Sequence, residues 1–243
     1  MTPPIRVISL ARSLDRRQAF ADANGHIDFT FSDAIDGAAI LHEVGHAPEL
    51  FEPGLPYSAG AYGCAMSHLN LWQEAVDSDR PVTVVEDDAV LRHDFEAQSA
   101  ALLAGLAPDW DIVVWAWNFD SILALNIMPG VSPAVMLFDQ AQLRTSLPDF
   151  QAMPGTPAAL RLDKCFGTPA YTISPAGARK YMLQCFPLKR FSVYFPVLNR
   201  ELPNNGIDIA MNRIYGQTNA YCSLPPLAAT PNEHASSLIQ QRR

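Results

Sequence analysis

The chain has 243 residues, 49% of them hydrophobic and 17% charged, with a formal net charge of -8. That apolar content over that length suffices for one packed domain and argues against disorder. The acidic balance excludes a broad basic surface for nucleic acid, which needs clustered Lys and Arg; a small anionic ligand stays admissible if a cation neutralises it locally.

Ile5 to Leu10 is an apolar run and reads as a first strand. Ser13 then reads as the cap of a helix reaching Asn24, with Ala19, Phe20 and Ala23 inward. Phe29 to Phe31 reads as a second strand and Asp36-Gly37 as a turn, while residues 38–58, broken by Gly45, Pro48, Pro53, Gly54 and Pro56, read as a loop with one helical turn. Ala61, Ala65, His68, Trp72 and Ala75 recur at steps of four and three, which is one helix face. Arg80-Pro81 ends it. Val82 to Val85 is then β-branched, as a buried parallel strand should be, and runs into Glu86, Asp87 and Asp88.

Residues 94–106 read as a helix, and Trp110 to Trp115 and Val135 to Phe138 as strands. Residues 139–163, rich in Pro, Gln and Leu, read as a flexible loop or lid. Gly167 to Ile173 returns to strand, and Ser174-Pro175 starts a helix with Pro at its first position. Asn204-Asn205-Gly206 opens another, with Ile207, Met211 and Ile214 on one face, and residues 225–231 are extended. Strands alternating with helices predict an α/β fold: a mainly parallel sheet flanked by helices, forming a single domain over 1–243.

Cys64, Cys165, Cys185 and Cys222 are spaced too widely for a zinc knuckle or a CxxC pair, and read as reduced buried thiols of a cytosolic protein. Neither a signal peptide nor an apolar stretch of ~20 residues is expected. The expectation is a cytoplasmic protein with no transmembrane segment, peripheral contact at the inner face of the membrane being left open.

The three acids after Val85 carry the chemistry. Ligands of open α/β sheets bind beyond the carboxyl ends of strands, and adjacent carboxylates repel unless a cation or solvent compensates. Their oxygens suit hard ions such as Mg²⁺ or Mn²⁺, which clamp a diphosphate and stabilise a leaving nucleotide. Glu86 and Asp88 share a face of the extended chain, so Asp88 is the expected direct ligand and Glu86 a ligand of the metal or of the ribose. The bland alternative is a solvated acidic strand end. A phosphatase-like Asp nucleophile is disfavoured because Ala89 stands two positions after Asp87, and a nucleotidyltransferase because Ser9 to Arg17 holds no Gly.

Several blocks together resemble glycosyltransferase family 25, the lipopolysaccharide and collagen galactosyltransferase group. They are Val7-Ile8-Ser9-Leu10 with Asp15-Arg16-Arg17, Phe31-Ser32-Asp33-Ala34 with Asp36-Gly37, and Gly63-Cys64-Ala65-Met66-Ser67-His68 with Leu71-Trp72. Pro81 to Ala89, Gly167-Thr168 through Tyr171-Thr172-Ile173-Ser174, and Gly206-Ile207-Asp208 continue the series in the family's order. The resemblance implies a GT-A-like fold, a UDP-hexose donor (often UDP-galactose), Mn²⁺ or Mg²⁺, inversion at the anomeric carbon, and a saccharide or lipid-linked saccharide acceptor.

Carried onto this sequence, it places Ser9, Arg12, Arg16, Ser67, His68, Glu86, Asp87 and Thr168 on the donor side. Glu86, Asp88 and His234 become metal ligands and Asp208 the catalytic base. Each has a plainer reading: His68 as a core histidine, Asp208 as a first-turn acid complementing a helix N-terminus, the arginines as a solvated helix face, Thr168 as part of a turn. Trp115, Trp117 and Asn118 follow a strand end, and the two Trp read either as a sugar-stacking face or as core or lid packing. The rival to an enzyme is a catalytically weak protein that binds a glycan or partner on the same fold.

Overall fold

The computed structural model describes residues 2–44, 47–195 and 199–232. The first half runs β1 (Ile5–Ser9), α1 (Leu14–Asn24), β2 (Thr30–Asp33), α2 (Gly37–Val44), α3 (Ala59–Ser78), β3 (Val82–Glu86), β4 (Val90–Leu91), α4 (Phe95–Gly105) and β5 (Ile112–Ala116). The second runs β6 (Ile122–Met128), β7 (Ser132–Leu137), α5 (Gln140–Thr145), α6 (Leu147–Gln151), β8 (Ala158–Cys165), β9 (Ala170–Ile173), α7 (Pro175–Cys185), β10 (Ser192–Phe195), β11 (Arg200–Pro203), α8 (Ile207–Asn212), β12 (Ala220–Leu224) and β13 (Ala228–Ala229).

Nine strands form one sheet in the order β2-β1-β3-β9-β5-β12-β8-β6-β7. β1 pairs in parallel with β2 and β3, and β12 with β5. β9 lies antiparallel between β3 and β5, while β8, β6 and β7 close the far side in antiparallel pairs. Six of the nine therefore point one way (β1, β2, β3, β5, β6 and β12), so the α/β expectation holds with β7, β8 and β9 reversed.

Burial follows the periodicities that build these elements. The five residues of the expected α3 stripe, Ala61, Ala65, His68, Trp72 and Ala75, are all buried. They belong to a layer that includes Val82, Val84, Tyr171, Ile173, Tyr181, Met211 and Tyr215. The opposite sheet face carries a second cluster with Val7, Phe20, Val85, Phe95, Val113 and Trp115. Burying a side chain of this class contributes about 1.5–3 kcal/mol. Ser58 caps α3 by accepting from Ala61 N, and Ser174 caps α7 by accepting from Gly177 N, as the Ser-Pro signal predicts.

Several expectations need correction. Within 38–58 the structure has an eight-residue helix, α2, rather than one turn. Ala19 faces solvent; α1 instead buries Phe20 and Asn24, whose amide bonds Phe20 O and Ala89 O and whose carbonyl oxygen accepts from Leu91 N. Ser13 occupies the N-cap position without a side-chain cap bond. The second strand lies at Thr30–Asp33, a shift from Phe29 to Phe31. Residues 139–163 are folded rather than a loop or lid: Asp139 caps α5, Leu143 and Phe150 are buried, and β8 begins at Ala158. Trp115 and Trp117 are fully buried, so neither offers a face to a sugar. Cys165, Cys185 and Cys222 are free and buried as expected, but Cys64 is only partly so. Among the described residues no helix is long and apolar enough to cross a membrane.

Candidate functional site

Strand direction assembles the site. The carboxyl ends of β1 and β3 lie side by side, and because β9 runs the other way its leading residues reach the same edge, where Glu86 N donates to Pro169 O at 2.8 Å. Ser9, the Glu86-Asp87-Asp88 run and Gly167-Thr168 thereby converge.

The three carboxylates have three different environments. Asp87 braces the fold: it accepts from Ser9 Oγ at 2.6 Å and from Arg16 Nε at 3.0 Å, with Arg16 Nη2 closing an ion pair. Glu86 accepts from Thr168 Oγ1 at 2.6 Å, and its Oε1 lies 3.6 Å from His68 Nε2. Asp88 is left over, for its buried Oδ1 has no hydrogen-bond partner among the described residues. Burial above all, then the charge of Glu86, pushes the Asp88 carboxyl up to about 7, against the pull of Arg16. An uncompensated buried oxygen beside two other carboxylates is costly, and a hard cation compensates it. Asp88 and Glu86 therefore fit the expected Mn²⁺ or Mg²⁺, with Glu86 held in place by Thr168.

His68 serves both readings given to it. It is fully buried, and its Nδ1 pairs with Tyr171 OH at 2.8 Å, which also accepts from Trp72 Nε1 at 2.7 Å. Its other nitrogen faces Thr168 Oγ1 at 3.4 Å and Glu86. The α3 stripe thus meets the site at its middle residue. Asp208 takes its plainer reading, a first-turn acid, and also bonds the segment that carries Thr168. In the first turn of α8, its Oδ1 accepts from Ile209 N at 2.9 Å and its Oδ2 from Gly167 N at 3.1 Å. Burial raises its pKa above the usual carboxylate value, the two backbone bonds pull it back, and Glu86 pushes it up again.

Other expected donor-side residues sit elsewhere. Ser67 Oγ donates to Gly63 O at 2.7 Å and accepts from Ile35 N at 2.9 Å, latching α3 to the segment after β2. The family-like glycines belong to that latch, since a Cβ on Gly63 would stand 2.4 Å from Ile35 O and one on Gly37 1.6 Å from Ala59 O. Arg12 is exposed and pairs with Asp36. Arg17 donates to Ser9 O at 2.8 Å, pairs with Asp33 and lies over the Phe31 ring. Of the three arginines, Arg16 is the one joined to the acidic run. His234 falls outside the described residues.

Three neighbours were not assigned from sequence. Asn118 covers Gly167, whose φ of +75° few L residues adopt and where an added Cβ would stand 2.3 Å from Asn118 Oδ1. The Thr230 hydroxyl favours the ionised form of Asp88. Cys64 sits one turn before His68 and within electrostatic reach of Glu86, Asp208 and Asp88. Asn118 follows a strand end and Cys64 precedes His68 by four, which are weak signals; Thr230 arrives through the fold alone. Two surface hollows, of about 350 and 260 Å³, are lined by residues other than these acids.

The model of glycosyltransferase family 25 (LPS biosynthesis protein) matches residues 2–194. A lacto-N-neotetraose biosynthesis glycosyltransferase LgtB of Neisseria meningitidis serogroup B is 38% identical over 118 residues, 44% of this chain and 42% of the relative. LgtE of Neisseria gonorrhoeae, a lacto-N-neotetraose biosynthesis glycosyltransferase, is 40% identical over 92 residues, 35% of this chain and 32% of the relative. The inactive glycosyltransferase 25 family member 3 of Mus musculus is 29% identical over 213 residues, 82% of this chain and 32% of the relative. The chain thus spans less than half the length of these relatives.

Proposed function

The chain belongs to glycosyltransferase family 25, and we propose that it transfers a hexose, galactose foremost, from a UDP-sugar to a hydroxyl of a saccharide or lipid-linked saccharide acceptor. The setting is lipopolysaccharide or surface-glycan synthesis, the transfer inverts the anomeric centre, and the protein works in the cytoplasm or at the inner membrane face. The observation that carries this reading is the buried Asp88 Oδ1, which has no hydrogen-bond partner among the described residues, two residues from a braced Glu86. It supports a cation-assisted diphosphate site, and the names of the bacterial relatives support the sugar chemistry.

Bound between Asp88 and Glu86, Mn²⁺ or Mg²⁺ would supply positive charge to the leaving diphosphate. The protein's own groups do the rest. Thr168 holds Glu86 in the orientation a ligand needs. Ser9 and Arg16 fix Asp87, and with it the turn that carries Asp88. Asp208 takes the proton of the acceptor hydroxyl as that oxygen attacks the anomeric carbon and the bond to UDP breaks. Its raised pKa brings it nearer the operating pH, where a general base is most effective.

The test is transfer from a panel of UDP-, GDP- and CMP-sugars to saccharide acceptors, with Mn²⁺ or EDTA, reading product and its anomeric configuration by NMR. The expected product forms from one UDP-hexose, with Mn²⁺, and inverted. A metal-independent or retained product contradicts the mechanism. A second reading, a binding protein without turnover, is favoured by the mouse relative, which is named inactive and aligns along most of this chain; UDP-sugar binding without transfer to any acceptor would establish it.

A further inference from the structure

We propose that Cys64, His68 and Glu86 form a second metal site, for a borderline-soft ion of the zinc class, different in ligand chemistry from the all-oxygen site at Asp88. The sulfur, the imidazole nitrogen and the carboxylate oxygen all lie within 4.8 Å of one another. Cys64 and His68 are four residues apart on α3, which stacks them on one helix face. Glu86 meets them from the end of β3.

The spacing suits a tetrahedral ion. With bonds of roughly 2.0–2.1 Å to nitrogen and oxygen and 2.3 Å to sulfur, tetrahedral ligand atoms stand about 3.4–3.6 Å apart. The His68 Nε2 to Glu86 Oε1 separation is 3.6 Å, so that edge is already formed. Closing the sulfur edges requires at most about 1.2–1.4 Å, within reach of side-chain rotation at Cys64 and Glu86.

Two neighbours orient the ligands as second-layer partners do in zinc proteins. Coordination through Nε2 leaves the Nδ1 hydrogen to be donated to Tyr171 OH, 2.8 Å away. Thr168 Oγ1 keeps its 2.6 Å bond to Glu86 Oε1. Glu86 is partly exposed, with its side chain 23% accessible, and Cys64 is half-buried. A sulfur, nitrogen and oxygen set selects zinc-class ions over Mg²⁺ or Mn²⁺. On binding, the Cys64 thiol proton passes to solvent and the thiolate becomes the ligand.

One consequence rests on the transferase reading: an ion held here ties up Glu86, so Zn²⁺ should weaken Mn²⁺-dependent UDP binding. The site itself is tested without activity. Co²⁺ titrated into the metal-free full chain is expected to give a thiolate-to-cobalt charge-transfer band in the near ultraviolet, saturating at one ion and bleached by Zn²⁺. Cys64→Ser should lose the band, and Asp88→Asn should keep it. No band in the wild type, or a band that survives Cys64→Ser, overturns the proposal. If Cys64→Ser fails to fold by circular dichroism, alkylation of Cys64 in the wild type replaces it, read by mass spectrometry; Zn²⁺ must slow that alkylation at least tenfold, and unchanged labelling overturns the proposal. Mn²⁺-dependent UDP binding by folded Cys64→Ser reports on the transferase reading alone, so the two ideas fail separately.

Discussion

Replacing Asp88 with Asn should make the metal-free protein more stable at alkaline pH while removing the carboxylate on which the proposed metal site rests. The Asp88 carboxyl is pushed from 3.8 up to about 7, chiefly by burial and next by Glu86. The folded chain therefore holds this proton more tightly than the unfolded chain. The cost of ionised Asp88 is absent below the unfolded value, grows through the window from about 4 to about 7, and is complete above it. About three pKa units at ~1.36 kcal/mol each set a ceiling of about 4 kcal/mol. Solvent reaching the partly exposed side chain, and sharing of charge with Glu86, reduce that to ~1–2 kcal/mol. For a chain of this size each kcal/mol is worth about 2–4 °C in melting temperature. Urea denaturation in EDTA is the assay. At about pH 8, Asp88→Asn should be the more stable protein, with the gap shrinking toward zero near pH 4. Mn²⁺ should stabilise the wild type and leave the variant unmoved. A variant less stable than wild type at the higher pH, or a gap indifferent to pH, refutes the reasoning.

Asp208→Asn should lower kcat by roughly 10²–10⁴-fold while UDP affinity holds, since it removes a base and leaves the donor site alone; steady-state kinetics with a titration of UDP separates the two. Gly63→Ala should cost at least ~1–3 kcal/mol in urea denaturation, because the added methyl meets the Ile35 carbonyl oxygen at 2.4 Å between two packed segments. Thr168→Val frees Glu86 of a charge-assisted bond worth about 1.5–3 kcal/mol, and Mn²⁺-dependent UDP binding should weaken about tenfold or more; unchanged affinity would remove Glu86 from the donor site.

The legible parts of this fold were those in which local pattern and tertiary environment agree. The α3 stripe is one, because its five apolar-face positions all meet the sheet. The Val82 to Val85 run is another, buried on both faces and ending at the edge where a ligand belongs. β8 was hidden because its Leu160-Arg161-Leu162-Asp163-Lys164 sequence carries charges that a buried strand avoids. In the fold Arg161 is satisfied by Asn219 and Thr218 O and lies over the Tyr221 ring. β12, in the middle of the sheet, is short and follows a 3₁₀ turn at Tyr215–Gln217, so no period announces it.

Within the site, Asp88, Glu86, Asp208, Thr168 and Arg16 could be named from sequence, but the division of labour could not. Ser9 and Arg16 join Asp87 across 78 and 71 residues of chain, and only the folded partners reveal that Asp87 is occupied while Asp88 Oδ1 has no partner among the described residues. Arg12 and Arg16 look alike in sequence, but Arg12 lies in the turn before α1 and pairs with Asp36, whereas Arg16 lies in the helix and pairs with Asp87.

The most direct measurement is calorimetric titration of UDP into wild type and Asp88→Asn, each with Mn²⁺ and with EDTA. The account predicts binding by the wild type with Mn²⁺ and by none of the other three combinations. Equal UDP affinity in EDTA, or full Mn²⁺-dependent affinity in Asp88→Asn, would contradict it.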